Sequence, residues 1–275
     1  MSAAKPFLKW AGGKTKLLPQ LEPLLPPDVA ERRHFEPFMG GAALFFARAP
    51  RVALLSDVNK DLVHTYRAVR DDLEQVIAAL QEHVHYHKRF ADKHYYAVRD
   101  DYNANDRGGA LRAAQFIYLN KTCFNGLHRV NKTGAFNVPV GSYKNPDICN
   151  VSTLRNAHAV LQHAAIDHRT FDEVIHRAQP GDFVYFDPPY EPVSATSSFA
   201  SYALEGFTRY DHIRLRGVID DLDRRGCKVM LSNSDTPFLR AIYTRYNTHL
   251  ISAARSINSK AEGRGDVSEL VVTNY

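Results

Sequence analysis

The tetrapeptide Asp187-Pro188-Pro189-Tyr190 follows directly on the apolar run Phe183-Val184-Tyr185-Phe186. A short continuous apolar run of this kind reads as a buried strand, and in an open parallel sheet ligands bind beyond the carboxyl ends of the strands. The chemistry available there is specific. The exocyclic amine of adenine is a poor nucleophile because its lone pair is delocalised into the ring. The Asp187 carboxylate and the Pro188 main-chain carbonyl can accept its two hydrogens. That returns electron density to nitrogen and aims it at an electrophilic methyl carbon such as that of a sulfonium. Pro188 and Pro189 remove backbone donors and stiffen the turn, and Tyr190 offers a ring on which a base can stack. The plain structural alternative is a strand end with a proline turn and a packed tyrosine.

A second element is Phe35-Glu36-Pro37-Phe38-Met39-Gly40-Gly41. Its glycines allow the backbone close to a ligand, with Glu36, Pro37, Phe38 and Gly40 placed to line it. The pattern is not G-x-G-x-x-G, which argues against a dinucleotide. After the next apolar run, Val52 to Ser56, stands Asp57. A carboxylate there can grip both ribose hydroxyls of an adenosyl group; the alternative role is that of a helix N-cap.

The third element is Phe7-Leu8-Lys9-Trp10-Ala11-Gly12-Gly13-Lys14-Thr15. Gly-Gly-Lys-Thr invites a phosphate-loop reading, but the first glycine of G-x-x-x-x-G-K-[ST] would fall on Leu8 and no strand precedes it. Trp10 and Lys14 instead suggest a stacking ring and a cation near a ligand carboxylate.

Taken together, FLKWAGGK, FEPFMGG and DPPY, in this order and with an insert before DPPY, resemble the Dam-type DNA adenine N6-methyltransferases (D12 class, group alpha) over almost the whole chain. The likeness continues through Ser194-Ala195-Thr196, Phe199 to Tyr202 and Arg255-Ser256-Ile257-Asn258. It implies S-adenosylmethionine as the methyl donor, contacted by Trp10, Lys14, Asp57 and Asp187. It implies that Asp187 to Tyr190 hold a flipped adenine, and that Phe171 and Asp172 line the adenine of the donor.

Lys121 to Lys144 interleaves basic, amide and aromatic residues on a turn-rich frame. Arginine can bond a guanine edge bidentately and Leu or Pro can touch a thymine methyl in the major groove, while lysines and backbone amides sit on phosphates. The pattern FNGL-x-R-x-N followed by G-x-FNVP-x-G-x-Y resembles the recognition hairpin of GATC-specific members. The likeness implies that Arg129 reads the guanine, that Leu127 and Pro139 touch bases, and that Phe124 and Asn125 intrude near the vacated stack. Lys9 would contact a flanking base, and Asn131, Asn137, Tyr143 and Lys144 complete the DNA set. Ser142 departs from the pattern, standing where similar proteins often carry a basic residue, which weakens the expected phosphate grip. A structural hairpin with solvated charges is the alternative.

These residues need a frame. Phe35 to Pro37, Val52 to Ser56, Phe183 to Phe186, Lys228 to Ser232 and Leu270 to Thr273 read as strands, with helices over Ala42 to Ala49 and Phe207 to Arg225. Asn59 to Val98 has helical periodicity, Asp100 to Gly109 reads as a turn-rich break, and Leu111 to Asn120 as a further helix. The expected architecture is α/β: a seven-stranded, mostly parallel, Rossmann-like methyltransferase sheet with an inserted, mostly helical DNA-recognition domain. The catalytic domain would comprise 1–59 and 161–275, the insert 60–160, and the DNA-reading hairpin 121–146.

Bulk properties bound the function. With 275 residues and 44% hydrophobic content the chain can bury a real core, and its net charge of +5 suits a polyanionic partner. Cys123, Cys149 and Cys227 fit neither a zinc site nor a disulfide framework, which points to a reducing cytoplasm. None follows a proline, so the thiolate chemistry of cytosine C5 methylation has no obvious nucleophile. There is no signal-peptide core and no window of membrane-span length. His83, His85 and His87 tempt a metal assignment, but on a helix only His83 and His87 share a face, and a solvated face with no metal is expected. Double-stranded DNA is the expected partner, with a companion restriction endonuclease left open. Methylation of cytosine N4 or RNA adenine, and a DNA-binding module without turnover, are the alternative functions.

Overall fold

A computed structural model describes residues 3–193, 206–254 and 266–275. The stretches Ser194-Ala195-Thr196, Phe199 to Tyr202 and Arg255 to Asn258 lie outside the described residues. Among the described residues seven strands form one sheet: β1 (His34–Glu36), β2 (Ala53–Asp57), β3 (Ala164–His168), β4 (Phe183–Phe186), β5 (Lys228–Ser234), β6 (Asn247–Ala254) and β7 (Asp266–Thr273), in the order β3-β2-β1-β4-β5-β7-β6. β1 runs parallel to β2 and β4, and β4 parallel to β5. β7 runs antiparallel to both β5 and β6. All four residues of β4 are buried, as its unbroken apolar run requires of a strand covered on both faces. The α/β class and the mostly parallel sheet are as the sequence predicts.

The helices are α1 (Leu18–Leu21), α2 (Ala43–Arg48), α3 (Lys60–Asp71), α4 (Leu73–Phe90), α5 (Asp92–Ala104), α6 (Gly109–Thr122), α7 (Val151–Leu161), α8 (Arg209–Arg224) and α9 (Pro237–Ile242). Asn59 starts α3 by accepting the Leu62 N–H at 3.0 Å, and Leu62, Tyr66 and Val69 form the buried stripe expected of an amphipathic helix. α8 begins with a reciprocal capping box between Thr208 and Asp211.

The chain divides into two compact units. The first comprises Met1–Gly13, Gly40–Ala49 and Asp57–His168, and α6 is its central helix. Most of α6 is buried, including Phe116, Ile117, Tyr118 and Leu119, because α3, α4 and α5 all pack against it. The second comprises Lys14–Met39, Pro50–Ser56 and Arg169–Tyr275. Its core joins Phe35, Val184, Phe186, Leu231 and Leu270 of the sheet to Leu215, Ile219 and Leu222 of α8. Each such side chain contributes roughly 1.5–3 kcal/mol by burial.

Two expectations require correction. Asp100 to Gly109 is not wholly a break, since α5 continues to Ala104. Tyr95, Val98 and Tyr102 are buried at helical spacing, and the Tyr102 hydroxyl donates to Asp61 at 2.6 Å, so tertiary packing overrides the local turn signals. Nor are His83 and His87 of α4 simply solvated, although His85 is exposed. His83 stacks on Tyr118 with centroids 4.8 Å apart and lies 3.1 Å from His94, while His87 meets the Tyr118 hydroxyl at 2.9 Å. Burial, reinforced by His94, pushes the His83 imidazole down to about 4.

Candidate functional site

In the second unit, β4 delivers Asp187 at its carboxyl end. The carboxylate keeps 22% of its surface exposed, and its Oδ1 lies 2.7 Å from the ammonium of Lys14. Lys14 is itself 3% exposed and sits in a single 3₁₀ turn, Lys14–Lys16. The same ammonium stands 4.7 Å from the centroid of the Tyr190 ring. Burial pushes Asp187 up to about 6; the Lys14 charge and hydrogen bond oppose that, while Glu269 and Glu36 reinforce it. Pro188 is buried and Pro189 exposed.

The turn is held from behind. The Tyr190 hydroxyl donates to Glu269 Oε2 at 2.6 Å. The Glu191 N–H donates to Asn233 Oδ1 at 3.0 Å, and the Ser234 hydroxyl donates to the Glu191 carbonyl at 2.5 Å. Glu269, Asn233 and Ser234 carry no recognisable motif around them, and sequence reasoning missed all of them.

Phe38 stacks on Phe171 with centroids 5.3 Å apart and planes inclined by 19°, and Phe207 meets both rings edge-on. Beside Phe171, Asp172 accepts from Arg214 at 2.8 Å through Oδ2. Its other oxygen is buried; burial raises the carboxyl, but hydrogen bonds from Thr170, from its own N–H and from Arg214 outweigh that and lower it. A stacked aromatic pair with a carboxylate on the adjoining residue suits a purine ring carrying an amino group. The structure thus brings together Phe38, Phe171 and Asp172; Phe207, read only as a helix start, is the addition. Pro37 is buried, and Glu36 is turned inward, 2% exposed and 2.8 Å from His34 Nε2.

In the first unit, Gly40 and Asp57 are tied directly. The Gly40 N–H donates to Asp57 Oδ2 at 3.0 Å, and the Asn59 N–H to Oδ1 at 2.9 Å. Asp57 is therefore not the N-cap of α3, a role Asn59 fills. Burial raises the Asp57 carboxyl, against the backbone hydrogen bonds that it accepts. Gly40 has φ +46°, and a Cβ there would lie 2.9 Å from Trp10 Cδ1. Trp10 stacks against His128 at 5.8 Å and Phe116 at 6.5 Å. The indole is thus fixed against a glycine loop that admits no side chain.

The segment after α6 is a hairpin, with isolated bridges Cys123↔Val140 and Val130↔Phe136. Arg129 donates through Nε to Asn137 Oδ1 at 2.7 Å and through Nη2 to the Asn137 carbonyl at 3.2 Å, so these two residues act as a pair. Asn131 serves the turn: its Oδ1 accepts from the Thr133 N–H and hydroxyl and from the Ala135 N–H. Phe124 is 51% exposed and Asn125, also exposed, has a left-handed φ of 54°. Pro139 and Lys144 are exposed and Leu127 is half-buried. Lys9 lies across Gly126, where a Cβ would come within 2.6 Å of it, and its ammonium sits 3.9 Å from the Tyr143 centroid. Buried Asn120 fastens this arrangement, accepting the Lys9 N–H and donating to the carbonyls of Lys9 and Gly126. Its amide pattern gave no signal apart from the fold.

Among the described residues no group of three or more His, Cys, Asp or Glu could hold a metal ion, and no helix is long and apolar enough to cross a membrane. Burial pushes the Cys123 and Cys227 thiols up to about 11.

Residues 10–257 match the family described as D12 class N6 adenine-specific DNA methyltransferase. The chain is 42% identical to a type II methyltransferase of Lactococcus lactis subsp. cremoris, over 98% of this chain and 95% of that protein. It is 43% identical to a type II methyltransferase of Methanocaldococcus jannaschii, over 98% and 99% respectively. A DNA adenine methylase of Vibrio cholerae is 34% identical over 98% and 96%.

Proposed function

The chain belongs to the D12 class N6 adenine-specific DNA methyltransferase family, and from that premise we propose that it transfers the methyl group of S-adenosylmethionine to N6 of an adenine flipped out of duplex DNA, within GATC. The observation that carries the reading is the tip of β4. There a half-buried Asp187 carboxylate, a rigid prolyl turn and the Tyr190 ring follow one another directly.

The residues present fit the donor. Phe38 and Phe171 offer stacked rings with the Asp172 carboxylate on the next residue, Gly40 leaves its backbone bare against Trp10, and Lys14 supplies a buried cation. Trp10, Gly40 and Asp57 of the first unit and Lys14, Phe38, Phe171 and Asp172 of the second would contact the donor, with Asp57 gripping its ribose; Glu36 and Pro37, expected in the same set, are buried. When bound, the donor supplies a methyl carbon activated by a sulfonium.

The chain's own groups do the rest. Asp187 and the Pro188 carbonyl accept the amino hydrogens of the adenine and hold its nitrogen lone pair toward the methyl group. A carboxylate has about four lone-pair sites, so pairing with Lys14 at Oδ1 leaves Asp187 capacity for the amine. Its negative charge also offsets the positive charge that develops on N6. Tyr190 stacks on the extruded base. Holding the reactants in line can supply about 7–11 kcal/mol of the barrier reduction.

The helical region 60–160, with the hairpin 121–146, is the proposed DNA-recognition domain. Arg129, steadied by Asn137, reads the guanine; Leu127 and Pro139 touch bases; Phe124 and Asn125 enter beside the vacated stack; Lys9, Tyr143 and Lys144 support the strand.

The test is transfer of labelled methyl groups from S-adenosylmethionine to matched duplexes and RNAs, with the product base identified. N6-methyladenine confined to GATC is the expected result. Methylated cytosine N4 or RNA adenine would replace the substrate assignment, and tight DNA binding with no transfer would leave a binding module.

A further inference from the structure

We infer that Glu269 is a positioning residue for methyl transfer, its carboxylate anchoring the hydroxyl end of the Tyr190 ring on which the extruded base stacks. The inference rests on the reading of Asp187 to Tyr190 as the adenine site.

The geometry is a clamp made by two adjacent strands. Ser234 of β5 and Glu269 of β7 stand directly opposite one another in the antiparallel register. Glu269 accepts the Tyr190 hydroxyl at 2.6 Å, and Ser234 donates to the carbonyl of Glu191, the next residue, at 2.5 Å. Asn233, fully buried, takes the Glu191 N–H. Consecutive residues of the turn are thus gripped by one cross-strand pair, the side chain of the first and the main chain of the second. A phenol ring is otherwise free to swing about its side-chain torsions. An acceptor-only carboxylate dictates that the hydroxyl donate, and so sets where the ring points.

Glu269 also bears on Asp187 through charge. The ionisable groups that act on Asp187 include Lys14, Glu36, Glu269, Tyr185 and Tyr190. Lys14 favours the Asp187 carboxylate, whereas Glu36 and Glu269 disfavour it.

The test compares E269A, E269Q, Y190F and the E269A/Y190F double variant on a duplex with 2-aminopurine at the target position and, for turnover, on the adenine duplex. E269A is expected to lower kcat on the order of tenfold, as loss of a hydrogen bond to a charged group does. DNA affinity should stay near wild type, and the fluorescence of the extruded base should change because its stacking partner has moved. E269Q keeps an acceptor and should retain most of the turnover, with its acidic limb displaced to lower pH. In the Y190F background, E269A should cost less than about a further twofold. Additive losses in this cycle would overturn the inference, because Glu269 would then act other than through Tyr190. Should E269A fail to fold, Y190F decides: turnover equal to wild type means that the hydrogen bond positions nothing. A wild-type chain that methylates no adenine would instead sink the underlying reading.

Discussion

The Lys14 ammonium stands 2.7 Å from Asp187 Oδ1, and it opposes the burial that pushes that carboxyl up to about 6. The proposed chemistry needs Asp187 ionised, because a protonated carboxyl has lost part of its acceptor capacity. Activity should therefore fall as pH drops through about 6 and level off above it. Lys14→Met removes the stabilising cation, so Asp187 should hold its proton to a higher pH and the acidic limb of kcat/KM should move upward. A limb that stays in place would mean that Asp187 is not the group being titrated. Asp187→Ala should reduce kcat by about 10²-fold or more, the scale seen when one preorganised group is lost at a developing charge, while DNA affinity measured by anisotropy changes little.

Gly40 and Trp10 form the next testable contact. A Cβ at Gly40 would lie 2.9 Å from Trp10 Cδ1 on a backbone with φ +46°. Gly40→Ala therefore combines overpacking, typically about 1–3 kcal/mol, with left-handed strain of about 1 kcal/mol. Because Trp10 is the chain's only tryptophan, its fluorescence reports the site directly. Titration with S-adenosylmethionine should quench wild-type emission, and G40A should shift the midpoint on the order of tenfold or more upward. An unchanged midpoint would show that the indole does not border the donor.

The Asp61, Tyr102 and Arg112 group has a different role. Arg112 bonds both Asp61 oxygens and lies 3.4 Å over the Tyr102 ring. Burial would raise the Asp61 carboxyl, but its bonds from Tyr102 and Arg112 outweigh that and lower it. A lowered folded-state pKa contributes stability that is present above the ordinary aspartate value and lost as pH falls through the folded one. Arg112→Met should cost on the order of 1–3 kcal/mol at pH 7, intermediate between exposed and buried pairs. That cost should shrink as the solution is acidified through this window. Denaturant melts across pH measure both effects, and a pH-independent cost would assign the loss to packing alone.

What the sequence made legible follows from how local each signal was. Asp187 to Tyr190 could be read because strand, carboxylate, prolines and ring are consecutive. β4 and β5 showed themselves as apolar runs. By contrast, β3 reads Ala-Ala-Ile-Asp-His and β6 begins Asn-Thr-His, too short or too polar to announce a strand. The end of α5 was hidden by Asn and Asp residues whose turn preference yields to burial of Tyr102. Glu269 lies 79 positions from Tyr190, and Asn120 lies 111 from Lys9. Such partners become visible only when the fold brings them together.

The pairing of Arg129 with Asn137 yields the last prediction. Nε of the guanidinium is taken by Asn137 Oδ1 at 2.7 Å, which orients the planar fork about that edge. Base reading by arginine depends on that plane, since a bidentate contact to guanine contributes about 1–3 kcal/mol of discrimination. Arg129→Ala should therefore lose about that much selectivity at one guanine of the site, with weaker effects elsewhere. Asn137→Ala keeps the cation and its Nη2 bond to the main-chain carbonyl but removes the side-chain anchor on Nε, so it should lose a smaller part of the same selectivity at the same base pair, with affinity for unrelated duplexes preserved. Competition of single-substituted duplexes in methylation assays resolves the two. Uniform weakening on every duplex, together with a salt slope reduced by about one, would mean that Arg129 rests on a phosphate and that another residue reads the guanine.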